Sequence, residues 1–241
     1  MGYYLTIDQG NSSAKVVVWH NDEPIGEHYF KSLSVAHIES LINIHGIDAA
    51  IYCSVAAVGT DIMNSLSQKC HLAIELTHLT PMPITIGYAT PHTLGRDRIA
   101  TAVGAQCRFP DTTVLVVDMG TAVTYDVVDS NACFIGGNIA PGVNMRLEAM
   151  HHFTARLPIV DPNGDLPTWG YDTTTAMRAG AINGVVAEIE HYYRQLPAGS
   201  KVIITGGWAQ AISPLLSIDH EIDPLLVNRG LNCILRYNET K

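Results

Sequence analysis

An α/β protein built from two copies of one half is the fold class this sequence predicts, and three observations predict it. Short apolar runs alternate with stretches of helical periodicity, the pattern of strands interleaved with helices. Residues 5–26 repeat at 115–136: Leu5, Asp8, Gly10, Val17, Val18, Ile25 and Gly26 meet the identical residue 110 positions on, without a gap. Each copy reads as a strand, a tight Asp-x-Gly turn and a second strand, with the glycine permitting the sharp reversal.

The elements follow in order. Residues 3–7 read as a buried strand, and 49–55 as another, followed by helical character over 56–66. Ile99, Ala102, Val103 and Cys107 recur at i, i+3, i+4 and i+8, one face of a helix. Phe109-Pro110-Asp111 interrupts both periodicities, which places the boundary between halves there, with domains at 1–110 and 111–241. Val143, Leu147 and Met150 form a helix face behind Pro141-Gly142. Residues 173–196 read as a long helix with Asp172 as its N-cap and Pro197-Ala198-Gly199 as its stop. Residues 201–205 are a strand leading into Gly206-Gly207, and the tail after Tyr237 is polar and expected to fray.

Composition narrows the function. The chain has 241 residues, 14 Lys+Arg against 23 Asp+Glu, a net charge of −9, 47% hydrophobic and 15% charged residues. Disorder needs low hydrophobicity, which is absent. The negative balance and the lack of any Lys/Arg cluster exclude a nucleic-acid footprint. No apolar run approaches the ~18 residues of a membrane span. Residues 1–6 lack the basic and apolar regions of a signal peptide. Gly2 and Thr6 fit a loose myristoylation pattern, but 3–7 reads better as a strand. Five widely spaced cysteines without a CxxC pair favour neither zinc nor a disulfide framework, so a cytoplasmic location is expected. The charged fraction lies below the ~25% of an ordinary soluble domain, so part of the surface is expected to be covered.

The chemistry gathers at the turns. An Asp-x-Gly turn lets successive amides cradle a phosphate, and hydroxyls follow it here in Asn11-Ser12-Ser13 and in Thr121-Ala122-Val123-Thr124. Two carboxylates beside a polyphosphate repel it unless a cation lies between, and Mg2+ suits oxygen ligands and phosphate. Taken singly, Asp8 and Asp118 read more readily as turn caps; the matched pair points to a site. Neither a P-loop nor a GxGxxG fingerprint is present.

Six segments, in order and nearly end to end, resemble those of the type III pantothenate kinases, within the actin, hexokinase and heat-shock-chaperone superfamily. They are Asp8-Gln9-Gly10-Asn11-Ser12-Ser13-Ala14-Lys15; Tyr88 with Pro91 and Gly95-Arg96-Asp97-Arg98; Asp118-Met119-Gly120-Thr121-Ala122-Val123-Thr124; Gly136-Gly137-Asn138-Ile139-Ala140-Pro141-Gly142; Asp172-Thr173-Thr174-Thr175-Ala176 with Gly180; and Thr205-Gly206-Gly207-Trp208-Ala209. Ser12 stands where the family often has Thr, and Asp172 where it often has Asn; both keep a hydroxyl or a cap.

The resemblance implies two ribonuclease H-like domains of the actin-like ATPase fold, each a mixed sheet with flanking helices. It implies transfer of a phosphoryl group from ATP to the primary hydroxyl of pantothenate, the first step toward coenzyme A. Asp97, which by itself could be a helix cap, becomes the expected catalytic base. Arg98, otherwise a surface ion pair, is expected to hold the pantothenate carboxylate. Tyr88, Gly95, Arg96 and Thr173 are expected to join it at the substrate, although Tyr88 alone would read as a core tyrosine. Asp8, Gln9, Gly10, Asn11, Ser12, Ser13, Ala14, Lys15 and Thr121 fall on the ATP side, with no catalytic role for Lys15. Asp8 is expected to act on Mg2+ through water. Asp118 is expected to hold a monovalent cation, K+ or NH4+. The family also implies a homodimer, which would cover the missing charge with an apolar interface. Another kinase of the superfamily and a non-catalytic accessory regulator are the competing readings; the presence of Asp8, Asp97 and Asp118 argues against the latter.

Overall fold

The computed structural model describes residues 2–10, 13–54 and 59–240. The chain forms two compact units: Met1–Asp111 with Val128–Ile135 and Leu225–Lys241, and Thr112–Val127 with Gly136–Pro224.

In the first unit, β1 (Tyr3–Gln9), β2 (Ala14–His20) and β3 (Glu23–Phe30) form an antiparallel meander. The chain then passes through α1 (Val35–His45), β4 (Ala49–Ser54), α2 (Thr60–Lys69) and β5 (Leu72–Glu75), giving the sheet order β3-β2-β1-β4-β5. β4 lies parallel to both β1 and β5. Every residue of β4 is buried because the sheet is covered on both faces, which is why it reads as an unbroken apolar run. Leu5, Ile7, Val16, Val18, Ala50 and Tyr52 pack with Ile38, Leu41, Ile62 and Leu66 of α1 and α2. The alternate residues Tyr4, Val17, Trp19, Ala49, Ile51 and Cys53 pack into the opposite core. The short strand β6 (Thr85–Ile86) pairs in parallel with Cys133 and Phe134.

That opposite core is built by α3 (Arg96–Arg108) and the C-terminal helix of the chain, Leu226–Glu239. Gly104 and Gly230 make the contact. A side chain on Gly230 would run into the Ala100 carbonyl, and one on Gly104 would lie 2.7 Å from the Leu226 carbonyl. The two backbones therefore touch. The C-terminal helix also buries Asn228, whose Nδ2 donates to the Thr6 hydroxyl at 3.1 Å; the Trp19 indole N–H donates to the same oxygen at 2.9 Å.

The second unit repeats the plan. β7 (Val114–Met119), β8 (Ala122–Val128) and β9 (Cys133–Pro141) are neighbours in that order. α4 (Val143–Phe153) and α5 (Thr173–Tyr193) precede β10 (Lys201–Thr205), α6 (Ala209–Ile212) and β11 (Glu221–Ile222). β10 runs parallel to β7 and to β11. The order β9-β8-β7-β10-β11 matches β3-β2-β1-β4-β5 strand for strand, as the repeat predicts. α5 starts at its Asp172 cap as expected. A further helix, α7 (Leu226–Glu239), follows β11. Its buried face sets Asn228, Gly230 and Asn232 among Leu226, Leu231, Ile234 and Leu235. It also carries ordered helix past Tyr237, where fraying was expected.

Gly230→Ala places a methyl group against the Ala100 carbonyl. The expected cost is about 1–3 kcal/mol of stability, as for other overpacked contacts, read from the urea unfolding midpoint. An unchanged midpoint would mean that α3 and α7 can part freely.

Candidate functional site

The first Asp-x-Gly turn joins β1 to β2 and is closed by the Gly10 N–H donating to the Ser13 carbonyl at 2.9 Å. Gln9 and Ala14 are opposite each other across the hairpin, as are Asp8 and Lys15. Gln9 Oε1 accepts from the Tyr52 hydroxyl at 2.7 Å, and the Lys15 ammonium lies 5.3 Å from the centre of the Tyr29 ring. Asn11 and Ser12 lie outside the described residues. A small cavity of about 140 Å3 opens at this turn, with Gln9, Gly10, Ser13 and Ala14 on one side and Lys31 and Ser32 on the other. Lys31 and Ser32 escaped sequence reading because they lie far down the chain and reach the turn only through the β2–β3 pairing.

The strand end opposite Asp8 is Cys53 of β4. Burial pushes its thiol well above the ordinary range, and the carboxylates of Asp8 and Asp97 add to the rise. Asp8 and Asp97, 89 positions apart in sequence, thus bear on one atom at the end of the parallel strands.

Asp97 sits in the first turn of α3. Its Oδ1 accepts the Arg98 N–H at 2.9 Å, and a Cβ on Gly95 would stand 2.5 Å from that oxygen. Arg96 and Arg98 diverge. Arg96 Nη1 meets Glu75 Oε1 at 2.6 Å. Arg98 is buried, with its guanidinium 5.7 Å from the centres of both the Tyr88 and Phe134 rings. Those rings meet edge-on at 6.0 Å. The fold therefore brings Tyr88 and Phe134 to the guanidinium of Arg98, the chain neighbour of Asp97; nothing in the motif marked Phe134.

The second turn joins β7 to β8, with the Gly120 N–H donating to the Ala122 carbonyl at 3.0 Å. Asp118 pairs with Thr205 of β10, and the chain then turns at Gly206 with φ +90°. That conformation favours glycine, and a Cβ there would stand 2.6 Å from Asp118 Oδ1. Gly142, the N-cap of α4, donates its N–H to the Thr121 carbonyl at 3.0 Å. A cavity of about 400 Å3 opens on this turn between Gly120, Thr121, Gly207, Trp208, Asn144 and Glu148. It has the size of a small-molecule site. Asn144 and Glu148 were not foreseen; their one sequence signal is the i, i+4 spacing behind Pro141-Gly142. Thr173 is not among the residues lining this cavity.

Thr173 opens α5 and is exposed. Asp172 Oδ1 accepts both the Thr175 N–H at 2.8 Å and its hydroxyl at 2.7 Å, while the Asp172 N–H donates back to that hydroxyl at 3.2 Å. The buried Arg178 clips the preceding loop, donating to the Asp161 carbonyl at 2.9 Å and the Asp165 carbonyl at 2.8 Å.

Among the described residues, no three His, Cys, Asp or Glu side chains are grouped to hold a metal by themselves. Single carboxylates at strand ends are the donors on offer. They fit an ion such as Mg2+, which takes one or two carboxylates with phosphate and water completing its shell.

Two sheets of one strand order, each with an Asp-x-Gly turn at the same place, define an actin-like ATPase fold, and solved structures agree. One, described as a Baf family transcriptional activator from Campylobacter jejuni, superposes with TM-score 0.66 at 23% identity, covering 98% of this chain and 100% of the other. Another, described as a 2-dehydro-3-deoxygalactonokinase from Sinorhizobium meliloti, gives 0.58 at 12% identity, covering 98% and 99%. Residues 4–195 match the family of type III pantothenate kinases. A type III pantothenate kinase of Porphyromonas gingivalis is 37% identical over 99% of this chain and 100% of its own, and one of Bacteroides fragilis is 38% identical over 97% and 98%. The chain belongs to the type III pantothenate kinase family.

The bonds from Thr175 hold the Asp172 carboxyl below its ordinary value of 3.8, the backbone N–H contributing most. A depressed folded pKa stabilises fully above the unfolded value and is lost as pH falls through the lower folded one. The difference in thermal midpoint between wild type and Asp172→Asn should therefore stay constant from neutral pH down to about 4 and change only below it.

Proposed function

We propose that this chain transfers the γ-phosphoryl group of ATP to the primary hydroxyl of pantothenate, yielding 4'-phosphopantothenate at the start of coenzyme A biosynthesis. The observation that carries the reading is the match to the type III pantothenate kinases over residues 4–195, in a chain whose sheets each end in an Asp-x-Gly turn. The repeat draws the duplicated domains at 1–110 and 111–241, with 128–135 and 225–241 of the second copy belonging to the first compact unit. Neither another acceptor nor a regulatory role has an observation of its own in its favour.

In this reading, Asp97 is the base. One of its oxygens accepts the Arg98 amide, which orients the carboxylate. The other takes the proton of the pantothenate hydroxyl as the new O–P bond forms and the bond to the departing ADP oxygen breaks. Arg98 pairs with the pantothenate carboxylate, its guanidinium backed by Tyr88 and Phe134. Gly95 leaves room for the Asp97 carboxylate. Arg96, engaged by Glu75, contributes positive charge at the entrance to α3. Thr173 adds a hydroxyl to the substrate.

The turn amides and hydroxyls of residues 9–15, with Thr121, serve the ATP phosphates. Asp8 would hold Mg2+ through water, and Asp118, bordered by Gly206, would hold K+ or NH4+. Bound there, these ions would neutralise phosphate charge.

A homodimer belongs to the same reading. Phe153, Ile159, Trp169 and Tyr171 are 82%, 82%, 86% and 71% exposed in the single chain. Interface cores are rich in aromatic side chains such as Phe153, Trp169 and Tyr171 and poor in charge. No described helix is long and apolar enough to cross a membrane.

A coupled assay of ADP release should show turnover with pantothenate and Mg2+ that rises when K+ or NH4+ is added. Turnover with another acceptor but not with pantothenate would reassign the substrate. Asp97→Asn should lower kcat by about 10²–10⁴ with ATP binding retained, the usual size of a general-base contribution. Near-native turnover in that variant would remove Asp97 from the chemistry. Sedimentation should give twice the chain mass of 26.1 kDa. A monomer at micromolar concentration would leave the four exposed side chains to another role.

A further inference from the structure

The crossing of α3 and α7 brings two cysteines together. Gly104 faces Leu226 and Gly230, and Gly230 faces Ala100 and Gly104, so the helices run in register at an offset centred on 126 positions. The same offset carries Cys107, one turn beyond Gly104, onto Cys233, one turn beyond Gly230. Each thiol bears on the titration of the other, Cys233 lowering Cys107 and Cys107 raising Cys233. Both cysteines are free; Cys107 is exposed and Cys233 half-buried. Because the backbones touch at the glycines, the next turn of each helix along the crossing faces the other closely, the approach that an inter-helix disulfide needs. The phosphoryl-transfer chemistry uses neither residue.

We propose that Cys107 and Cys233 form a dithiol modification site that a low-molecular-weight disulfide oxidises to an inter-helix disulfide, with Cys107 as the point of entry. The Cys107 thiolate attacks one sulfur of the small disulfide, forming a mixed disulfide and releasing one small thiolate. The Cys233 thiol then attacks the Cys107 sulfur, loses its proton and displaces the second small thiolate. Two protein thiols are oxidised and one small disulfide is reduced to two thiols.

The order of events follows from exposure and hydrogen bonding. Cys107 is open to solvent at the last turn of α3, and the hydrogen bond from Cys233 stabilises its thiolate and lowers its pKa. Cys233 is shifted the opposite way, first by that bond and then by burial, so it waits as the resolving thiol. Cys53 and Cys70 are buried, and burial raises both thiols, which keeps them out of the exchange. The product would tie the last turn of α3, whose first turn carries Asp97, to α7.

The test treats the reduced full-length protein with glutathione disulfide and follows its intact mass and tryptic map. The expected product has lost two hydrogens, joins peptides 99–108 and 230–236, and returns to the starting mass with dithiothreitol. Cys233→Ser should stop at a stable glutathione adduct on Cys107, and Cys107→Ser should form no link. Three outcomes would overturn the proposal: wild type that keeps glutathione on Cys107, wild type in which another cysteine reacts first, or a Cys233→Ser variant whose Cys107 stays unmodified.

Discussion

Backbone contact between α3 and α7 is the constraint on which the first unit rests. With no side chain at Gly104 or Gly230, the two helices close until main-chain atoms touch. α7 is itself tied to the sheet through Asn228 and the Thr6 hydroxyl, which also receives the Trp19 indole. The place of α3 over the sheet is set from below by apolar packing and from the side by α7. Its first turn carries Arg96, Asp97 and Arg98, so the same contact decides where the candidate base stands. A longer side chain at the crossing would push α3 outward and move Asp97 away from the strand ends where it and Asp8 bear on Cys53.

The second unit solves the equivalent problem differently. Its Asp-x-Gly turn is backed by main chain from two other segments, the α4 N-cap at Gly142 and the Gly206 turn after β10. The carboxylate of Asp118 stands where any side chain at Gly206 would be. Rigid main chain around a turn holds its amides in place before a ligand arrives, and such preorganisation makes a turn useful for binding charge. One duplicated sheet therefore presents two different ends. The first copy offers a carboxylate pair and a buried arginine against aromatic rings; the second offers a walled cavity.

Much of this was legible in advance. The alternation of strands and helices, the repeat at 110 positions, the Asp172 cap and the strand at 201–205 all follow from local patterns, because short-range sterics and period-two or period-3.6 burial act within a few residues. Asp97 and Arg98 were legible as candidates because they sit in a short contiguous motif. Other features were not. On α7 the burial of Asn228, Gly230 and Asn232 makes sense only once Thr6, Asn21 and the α3 backbone are beside them. Lys31, Phe134, Asn144 and Glu148 approach the turns through strand pairing and helix packing, and no local spacing announces them.

The sequence by itself determined the class: two α/β copies, two Asp-x-Gly turns, and a motif set that identifies the family. It did so because turn chemistry and burial periodicity are written in neighbouring residues. Only the tertiary structure decided that Arg96 is occupied by Glu75 while Arg98 is stacked against Tyr88 and Phe134, two side chains of one kind two positions apart with different surroundings. It alone decided that Cys107 meets Cys233. Both outcomes depend on how closely elements distant in sequence can pack, and that distance is set by the side chains at the crossing rather than by the pattern along either chain segment.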